Sequence, residues 1–397
     1  MHEQIVEYVD SRRDEIIACL KSLIDEKAGS ENSTAVNRVG EIFNREYSKL
    51  GFHHKKFTGN SPFGDHLLFT NHDKEQSIIL AGHMDTTFTS YEHLPEFHIE
   101  GDHCIGPGTG DMLGGLVVFL YAVKCLQFIG QLDSLPLTIF INSDEERGSP
   151  TSRPVFEELL AKASHVMISE CGGKNNEIVI GRRGKLSFDI HVNGVEGHAG
   201  NLVGKKASAV EEIAHKIIAI EGLNSHWEGT DLNAGKVRGG IAGNTVAQNA
   251  VLSSDIRYSY GEHESEIKEA INNIVETNLV EGCVSRLEIT SERPLWEASK
   301  NSTSQKHLVA QVEQAAGELH QPFSTEIRKG TSDANFFGAA GVSVIDGMGP
   351  IGFNDHSANE YILLESLFER IKLCTLVLLK LQDPQLQYGL YCLENIL

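Results

Sequence analysis

Four separated apolar runs in this chain each lead directly into histidine or acidic residues. Residues 77–82 run into His83-Met84-Asp85, residues 135–142 into Asp144-Glu145-Glu146 and residues 165–169 into Glu170, while residues 342–345 open the segment that reaches His356. Short, continuously apolar runs are the pattern of strands buried on both faces, as in a parallel sheet covered by helices. In such sheets ligands bind beyond the carboxyl ends of the strands. The four clusters are therefore expected on one rim, far apart though they are in sequence. Histidine and carboxylate groups gathered on a rigid rim form the donor set of a hydrolytic metal site.

Composition narrows the classes. A chain of 397 residues with 40% hydrophobic content can bury a large core, and its length suggests two domains. Its 34 basic and 55 acidic residues give a formal charge of −21, which opposes approach to phosphate backbones and anionic lipid. No nucleic-acid or membrane partner is expected. The seven cysteines, Cys19, Cys104, Cys125, Cys171, Cys283, Cys374 and Cys392, are odd in number and include no C-x-x-C pair, which points to a reducing cytoplasm. Residues 1–21 alternate charged and apolar positions at helical spacing and lack the apolar core of a signal peptide. The longest apolar stretch, residues 114–123, falls short of the roughly 20 residues that a bilayer crossing needs.

Up to about Arg183 the pattern is α/β, with an N-terminal helix to Glu26, a second over residues 35–50 and a third over 114–128. Beyond it, Leu186, Phe188, Ile190 and Val192 alternate as a half-exposed strand. A helix (205–222), two strands (230–238 and 245–258), a helix (262–277) and a strand (284–290) follow. This βαββαβ order is that of a ferredoxin-like unit. Helical spacing returns at 310–316, and the buried-strand pattern returns at 342–345. The expected architecture is thus a mixed, mainly parallel sheet flanked by helices, formed by residues 1–184 and 293–397, with an inserted α+β ferredoxin-like domain over 185–292.

The chemistry-bearing residues are individually ambiguous. His83 and Asp85, at i and i+2, point the same way from a strand end, so one can bind metal while the other orients it. Alone, the pair also suits an ordinary loop. Asp111 lies among glycines (Gly106, Gly108, Gly110, Gly114, Gly115) just before an apolar helix, where it equally suits an N-cap. A dinucleotide fingerprint fails there, because Leu113 occupies the third glycine's place. Asp144-Glu145-Glu146 crowds three carboxylates, which repel unless a cation or protons neutralise them. A solvated acidic turn is the bland alternative, as a loop carboxylate is for Glu170. His53, His54, His72, His93, His98 and His103 fall in polar, loop-like stretches and read as solvated.

Taken in order, these pieces resemble the zinc-dependent aminoacylase and glutamate carboxypeptidase family, which includes acetylornithine deacetylase and succinyl-diaminopimelate desuccinylase. The carrying residues are His83-Met84-Asp85, Gly110-Asp111 with Gly114-Gly115, Glu145-Glu146, Glu170, Gly197-His198-Ala199-Gly200, Asp255-Ile256-Arg257, Gly330-Thr331-Ser332-Asp333, and His356-Ser357 with Glu360. The likeness spans nearly the whole chain and is nearest to the carboxypeptidase-G-like glutamate carboxypeptidases. It implies two Zn2+ ions, with Co2+ or Mn2+ as possible substitutes, bridged by Asp111 and a water. One ion would take His83 and Glu170, the other Glu146 and His356. Asp85 would hold the His83 ring through its second nitrogen. Glu145 would act as general base and then as acid, and the Asp111–Met112 peptide bond would be cis.

The resemblance further implies that His198 polarises the scissile carbonyl, Arg257 pairs with a substrate carboxylate, and Asn244 and Thr331 add substrate contacts. The inserted domain would pair with its mate in a homodimer, His198 reaching the neighbouring subunit's metals. Three positions depart from the family's usual pattern: Asn244-Thr-Val-Ala in place of Asn-Val-Ile-Pro, Cys171 in place of proline and Leu113 in place of lysine. They remove neither a ligand nor the base, but they leave the substrate open. Glu170, where an aspartate would mark aminopeptidases, leans away from that branch. The expected activity is hydrolysis of a small peptide or N-acyl amino acid with a free carboxylate, through a metal-bound water. A biosynthetic deacetylase or desuccinylase is the alternative, and a binding protein on a retired scaffold is a further one.

Overall fold

A computed structural model describes residues 1–201 and 204–382, and of Ser299 the backbone alone; Cys392 lies outside the described residues. The chain divides into two compact units, Met1–Gly181 with Ala298–Ile327 and Ser332 onward, and Arg182–Glu297 with Arg328–Thr331. The divisions fall three residues before and five after those expected at 184/185 and 292/293, and Thr331 belongs to the smaller unit.

In the larger unit the four apolar runs are neighbouring parallel strands. Leu137–Asn142, Ser77–His83, Ala163–Ile168 and Val344–Ile345 lie side by side in that order, with Ile78 opposite both Leu137 and His165, and Val344 opposite Val166. Ser77–His83 and Leu137–Asn142 are buried along their whole length, as both-face burial requires. Two antiparallel strands that periodicity does not reveal, His53–Phe57 and His66–Thr70, extend the sheet beyond Leu137–Asn142. His53 and His54 are thus strand residues, as are His98 and His103, rather than loop residues. His54 stacks on Phe69 and His103 packs against Tyr361.

Helix Gly114–Phe128 is apolar nearly all round and packs between the sheet and helix Leu364–Lys380. Together with the turn before it, the segment Thr109–Phe128 is long and apolar enough to cross a membrane, contrary to the expectation from residues 114–123 alone. It is mostly buried inside the protein, as a core helix is. The N-terminal helix is interrupted into His2–Asp10 and Arg13–Ile24. Ser11 Oγ and Arg12 Nη1 both donate to the Tyr8 carbonyl, offering the backbone an alternative to the helical ladder.

The smaller unit has four antiparallel strands in the order Thr230–Gly239, Asn249–Tyr258, Gly184–Asn193, Val284–Arg293, the ferredoxin-like arrangement. Leu186, Phe188, Ile190 and Val192 are buried on one face against Ile213, Ile220, Ile267 and Ile271 of helices Ala209–Glu221 and Glu264–Glu276. A buried ion pair within helix Ala209–Glu221 ties that helix to the backbone at the end of helix Glu264–Glu276. Lys216 lies 2.9 Å from Glu212 and donates to the carbonyls of Ile274, Val275 and Thr277, while Glu212 accepts from the N–H groups of Leu279 and Val280. The single strand expected over 245–258 is two. Gly194 and Ala209 N–H groups take the carbonyls of Gln248 and Ala247, so Thr245–Val246 leaves the main sheet and pairs with Gly197–His198.

Candidate metal centre

Each candidate metal-binding side chain is placed by a strand end or a turn that follows one. His83 is the last residue of its strand and is 1% exposed. Glu146 lies in the turn Glu145–Arg147, three residues after strand Leu137–Asn142, and Glu170 lies just past Ala163–Ile168. Asp111 sits in the glycine-rich turn before helix Gly114–Phe128. A side chain at Gly115 would meet the Ser169 carbonyl at 1.8 Å, so this glycine lets the helix start against the segment carrying Glu170. His356 projects from the loop between Gly352–Phe353 and Tyr361–Leu363, with a left-handed φ of 63°. That conformation costs a non-glycine residue roughly 1–3 kcal/mol and persists only where surroundings over-determine it.

Two ligand groups result, His83 with Asp111 and Glu170, and Asp111 with Glu146 and His356, each with donor atoms within 4.8 Å of one another. Asp111 belongs to both. Its Oδ1 lies 3.0 Å from His83 Nε2 and its Oδ2 lies 3.0 Å from His356 Nε2. Glu146 Oε2 is 3.2 Å from His356 Nε2, and Glu170 Oε1 is 3.8 Å from His83 Nε2. Tetrahedral ligands at about 2.0–2.1 Å from zinc stand roughly 3.3 Å apart, so these spacings suit an ion in each group. The Asp111–Met112 peptide bond is cis.

The electrostatics call for positive charge. Burial and then the charge of Asp111 push the Glu146 carboxyl up, and the same two causes push Glu170 well up. Hydrogen bonds to Asp111 and Glu146 raise the His356 imidazole to about 11. Burial opposes protonation of His83, but bonds to Asp111 and Asp85 outweigh it and raise its pKa well above the usual value. Burial likewise works against ionised Asp111, which is nonetheless held below the ordinary carboxylate range by His356 and His83. The carboxylates around the two rings thus favour positive charge at this place. Glu146 Oε1 is buried without a hydrogen-bond partner among the described residues, as an atom awaiting a metal bond would be. The donor set therefore fits divalent metal.

One acid does more than expected, and another serves elsewhere. The His83 Nδ1 atom lies 2.9 Å from the Asp85 main-chain oxygen and 3.4 Å from its carboxylate. The Asp85 carboxylate also accepts from Ser30 Oγ and from the N–H groups of Glu145 and Glu146, anchoring the turn that carries both glutamates. Asp144 turns away from the ligands and accepts from the N–H and hydroxyl groups of Thr151 and Ser152. Only Glu146 of the triplet joins a ligand group, so a shared cation does not explain all three. Glu360 accepts from the N–H groups of Gly108, Gly110 and Asp111, and burial still raises it to about 8. No local pattern signals that role, because its partners lie some 250 positions upstream.

The expected substrate residues lie in the smaller unit. His198 and Asn244 are brought together: Ala199 N–H donates to the Asn244 carbonyl, and His198 pairs with Thr245. Arg257 stands next to last in strand Asn249–Tyr258, its Nε donating to Asp255, whose other oxygen accepts from Ser187. Thr331 is half-buried in the returning segment Arg328–Thr331.

Residues 79–380 match the model of peptidase family M20/M25/M40. Carboxypeptidase G2 of Pseudomonas sp. (strain RS-16) is 24% identical over 92% of this chain and 89% of its own. Succinyl-diaminopimelate desuccinylase of Helicobacter hepaticus is 28% identical over 72% and 75%. Among solved structures, a tripeptidase from Staphylococcus aureus superposes with a TM-score of 0.76 at 20% identity, covering 93% of this chain and 98% of that one. A metallo-carboxypeptidase of the M20 family from Sulfolobus solfataricus gives 0.71 at 15% identity over 92% and 98%. The family match, the shared fold and the two ligand groups lead to one assignment: this chain belongs to peptidase family M20/M25/M40 and is a metal-dependent hydrolase.

Proposed function

We propose that the protein is a dinuclear amidohydrolase that cleaves a small peptide or N-acyl amino acid at the amide N-terminal to a residue with a free carboxylate. The carrying observation is the sharing of Asp111, whose two oxygens face different histidines. Zinc suits a donor set of two imidazoles and three carboxylates, and Co2+ or Mn2+ could substitute. When bound, the ions supply Lewis acidity at the scissile carbonyl and lower the pKa of the attacking water. Glu145 takes the proton from that water and returns it to the leaving amine. Asp85 holds the Glu145 N–H and so sets where the base stands.

His198 and Asn244, joined by their two-stranded ribbon, are assigned to the scissile carbonyl and its neighbouring atoms. Arg257 is assigned to the substrate carboxylate, since its planar fork meets that group bidentately. Asp255 engages its Nε, which leaves the terminal nitrogens as the recognition edge. Thr331 is assigned a further substrate contact. A carboxypeptidase and desuccinylases both stand among the relatives, so an N-deacylase is the second reading, with the same metal chemistry. The presence of all five ligands and the base argues against a chain that only binds. The six described cysteines are free thiols, which supports a reducing, cytoplasmic setting.

A homodimer completes the proposal. Strand Thr230–Gly239 is an edge of its sheet, its second half is exposed, and Ile218, Val237 and Ile241 are 71%, 53% and 80% exposed. An open edge with apolar neighbours is a template for pairing with a second copy.

Glu145→Gln keeps shape but cannot accept a proton, so metal should remain while turnover falls roughly 10²–10⁴-fold. Glu146→Gln should lose metal instead. Metal analysis beside kinetics checks this, and the reverse pattern would exchange the two roles. For Arg257, converting the substrate's carboxylate to an amide should reproduce the loss caused by Arg257→Ala, roughly 2–5 kcal/mol in kcat/KM. Equal turnover of acid and amide removes Arg257 from recognition. Finally, mixing inactive His198→Ala and Glu145→Ala subunits should restore activity at about a quarter of native sites, because a two-fold pair then contains one intact site. Proven subunit exchange without recovery would confine His198 to its own chain.

A further inference from the structure

Asp111 can serve two ions only if its carboxylate stands at a defined height above the sheet, and its own loop does not ensure this. Gly106, Gly108 and Gly110 precede it within five residues, and glycine gives a backbone the widest choice of conformations. The constraint comes from Glu360, 1% exposed. Its Oε2 accepts from Gly108 N–H at 2.8 Å, and its Oε1 accepts from Gly110 N–H at 2.9 Å and Asp111 N–H at 3.0 Å. The Glu360 carbonyl also accepts from Gly106 N–H, at 3.2 Å. Four main-chain donors of one loop thus end on one residue. A desolvated surrounding strengthens such bonds and makes leaving any of these donors unpaired costly.

The same short segment reaches Asp111 from the other side. His356, four residues before Glu360, places Nε2 at 3.0 Å from Asp111 Oδ2. Ser357 ties the segment together, with its hydroxyl bonded to the Asn354 carbonyl and the Asn359 N–H, and its carbonyl bonded to Glu360 N–H. Strand Tyr361–Leu363 then fastens it to His103–Ile105, directly before Gly106. One turn therefore grips Asp111 at its amide and at its carboxylate.

We infer that Glu360 is a positioning residue for the bridging aspartate, acting on both metal sites at once through the backbone of residues 106–111. The inference rests on the dinuclear reading. Because Asp111 is common to the two ligand groups, disturbing it weakens both ions, whereas loss of Glu146 or Glu170 touches one. A role in folding alone would lower the melting temperature without moving the two affinities together.

The test is a Co2+ titration of metal-stripped full-length protein, native, Glu360→Ala, Glu360→Gln and Glu146→Gln, read by the visible Co2+ spectrum and by competition with a chromophoric chelator. Native protein should bind in two steps, and Glu360→Ala should weaken both by roughly 10–100-fold. Glu360→Gln should recover part of the loss, because its amide oxygen can still accept from Gly110 and Asp111. Glu146→Gln should weaken one step. Native affinities in Glu360→Ala, a loss confined to one step, or metal-free forms of both Glu360 variants that are unfolded by far-UV circular dichroism would each overturn the inference. Fewer than two ions on native protein overturns the dinuclear reading instead, and the positioning role then stands or falls on whether the remaining step weakens.

Discussion

The sharing of one carboxylate between two histidines organises the rim of the larger unit. Asp111 Oδ1 and Oδ2 each stand 3.0 Å from a different imidazole nitrogen. Three carboxylates, those of Asp111, Glu146 and Glu170, are thereby held close together in partly buried surroundings. Such a set repels itself and resists desolvation unless cations neutralise it. A bound metal would relieve that repulsion where protons otherwise must.

Holding the set in place falls to acids outside both ligand groups. Asp85 takes the amides of Glu145 and Glu146, Asp144 takes those of Thr151 and Ser152, and Glu360 takes those of Gly108, Gly110 and Asp111. In each case a carboxylate satisfies main-chain donors in a turn that no regular ladder would satisfy. The parallel strands supply rigidity, and these anchors carry it into the irregular backbone where the ligands sit.

The legible part of the fold was the part governed by burial. Both-face burial makes Ser77–His83 and Leu137–Asn142 continuous apolar runs, and one-face burial makes Leu186 to Val192 alternate, so each announces its neighbours. Strand His53–Phe57 was hidden because its residues, HHKKF, are largely exposed and carry no such pattern. The break at Ser11 and the parting of Thr245–Val246 from Asn249–Tyr258 were hidden too, since both depend on who takes particular carbonyls. At the site, residue types and order pointed to the side chains that the structure gathers into the two candidate ligand groups. What escaped was the division of labour among acids: the triplet at 144–146 looks uniform in sequence, yet one member points inward to Thr151 and Ser152 and another to His356. That division is set by contacts between distant segments.

The most direct measurement of the central claim is the zinc content per chain after reconstitution and desalting, in native protein and in Asp111→Ala. The shared-ligand account predicts two ions in the native protein and essentially none in the variant, because each remaining pair, His83 with Glu170 and Glu146 with His356, holds zinc poorly alone. A variant that retains one tightly bound ion, or a native protein that never exceeds one, would contradict it.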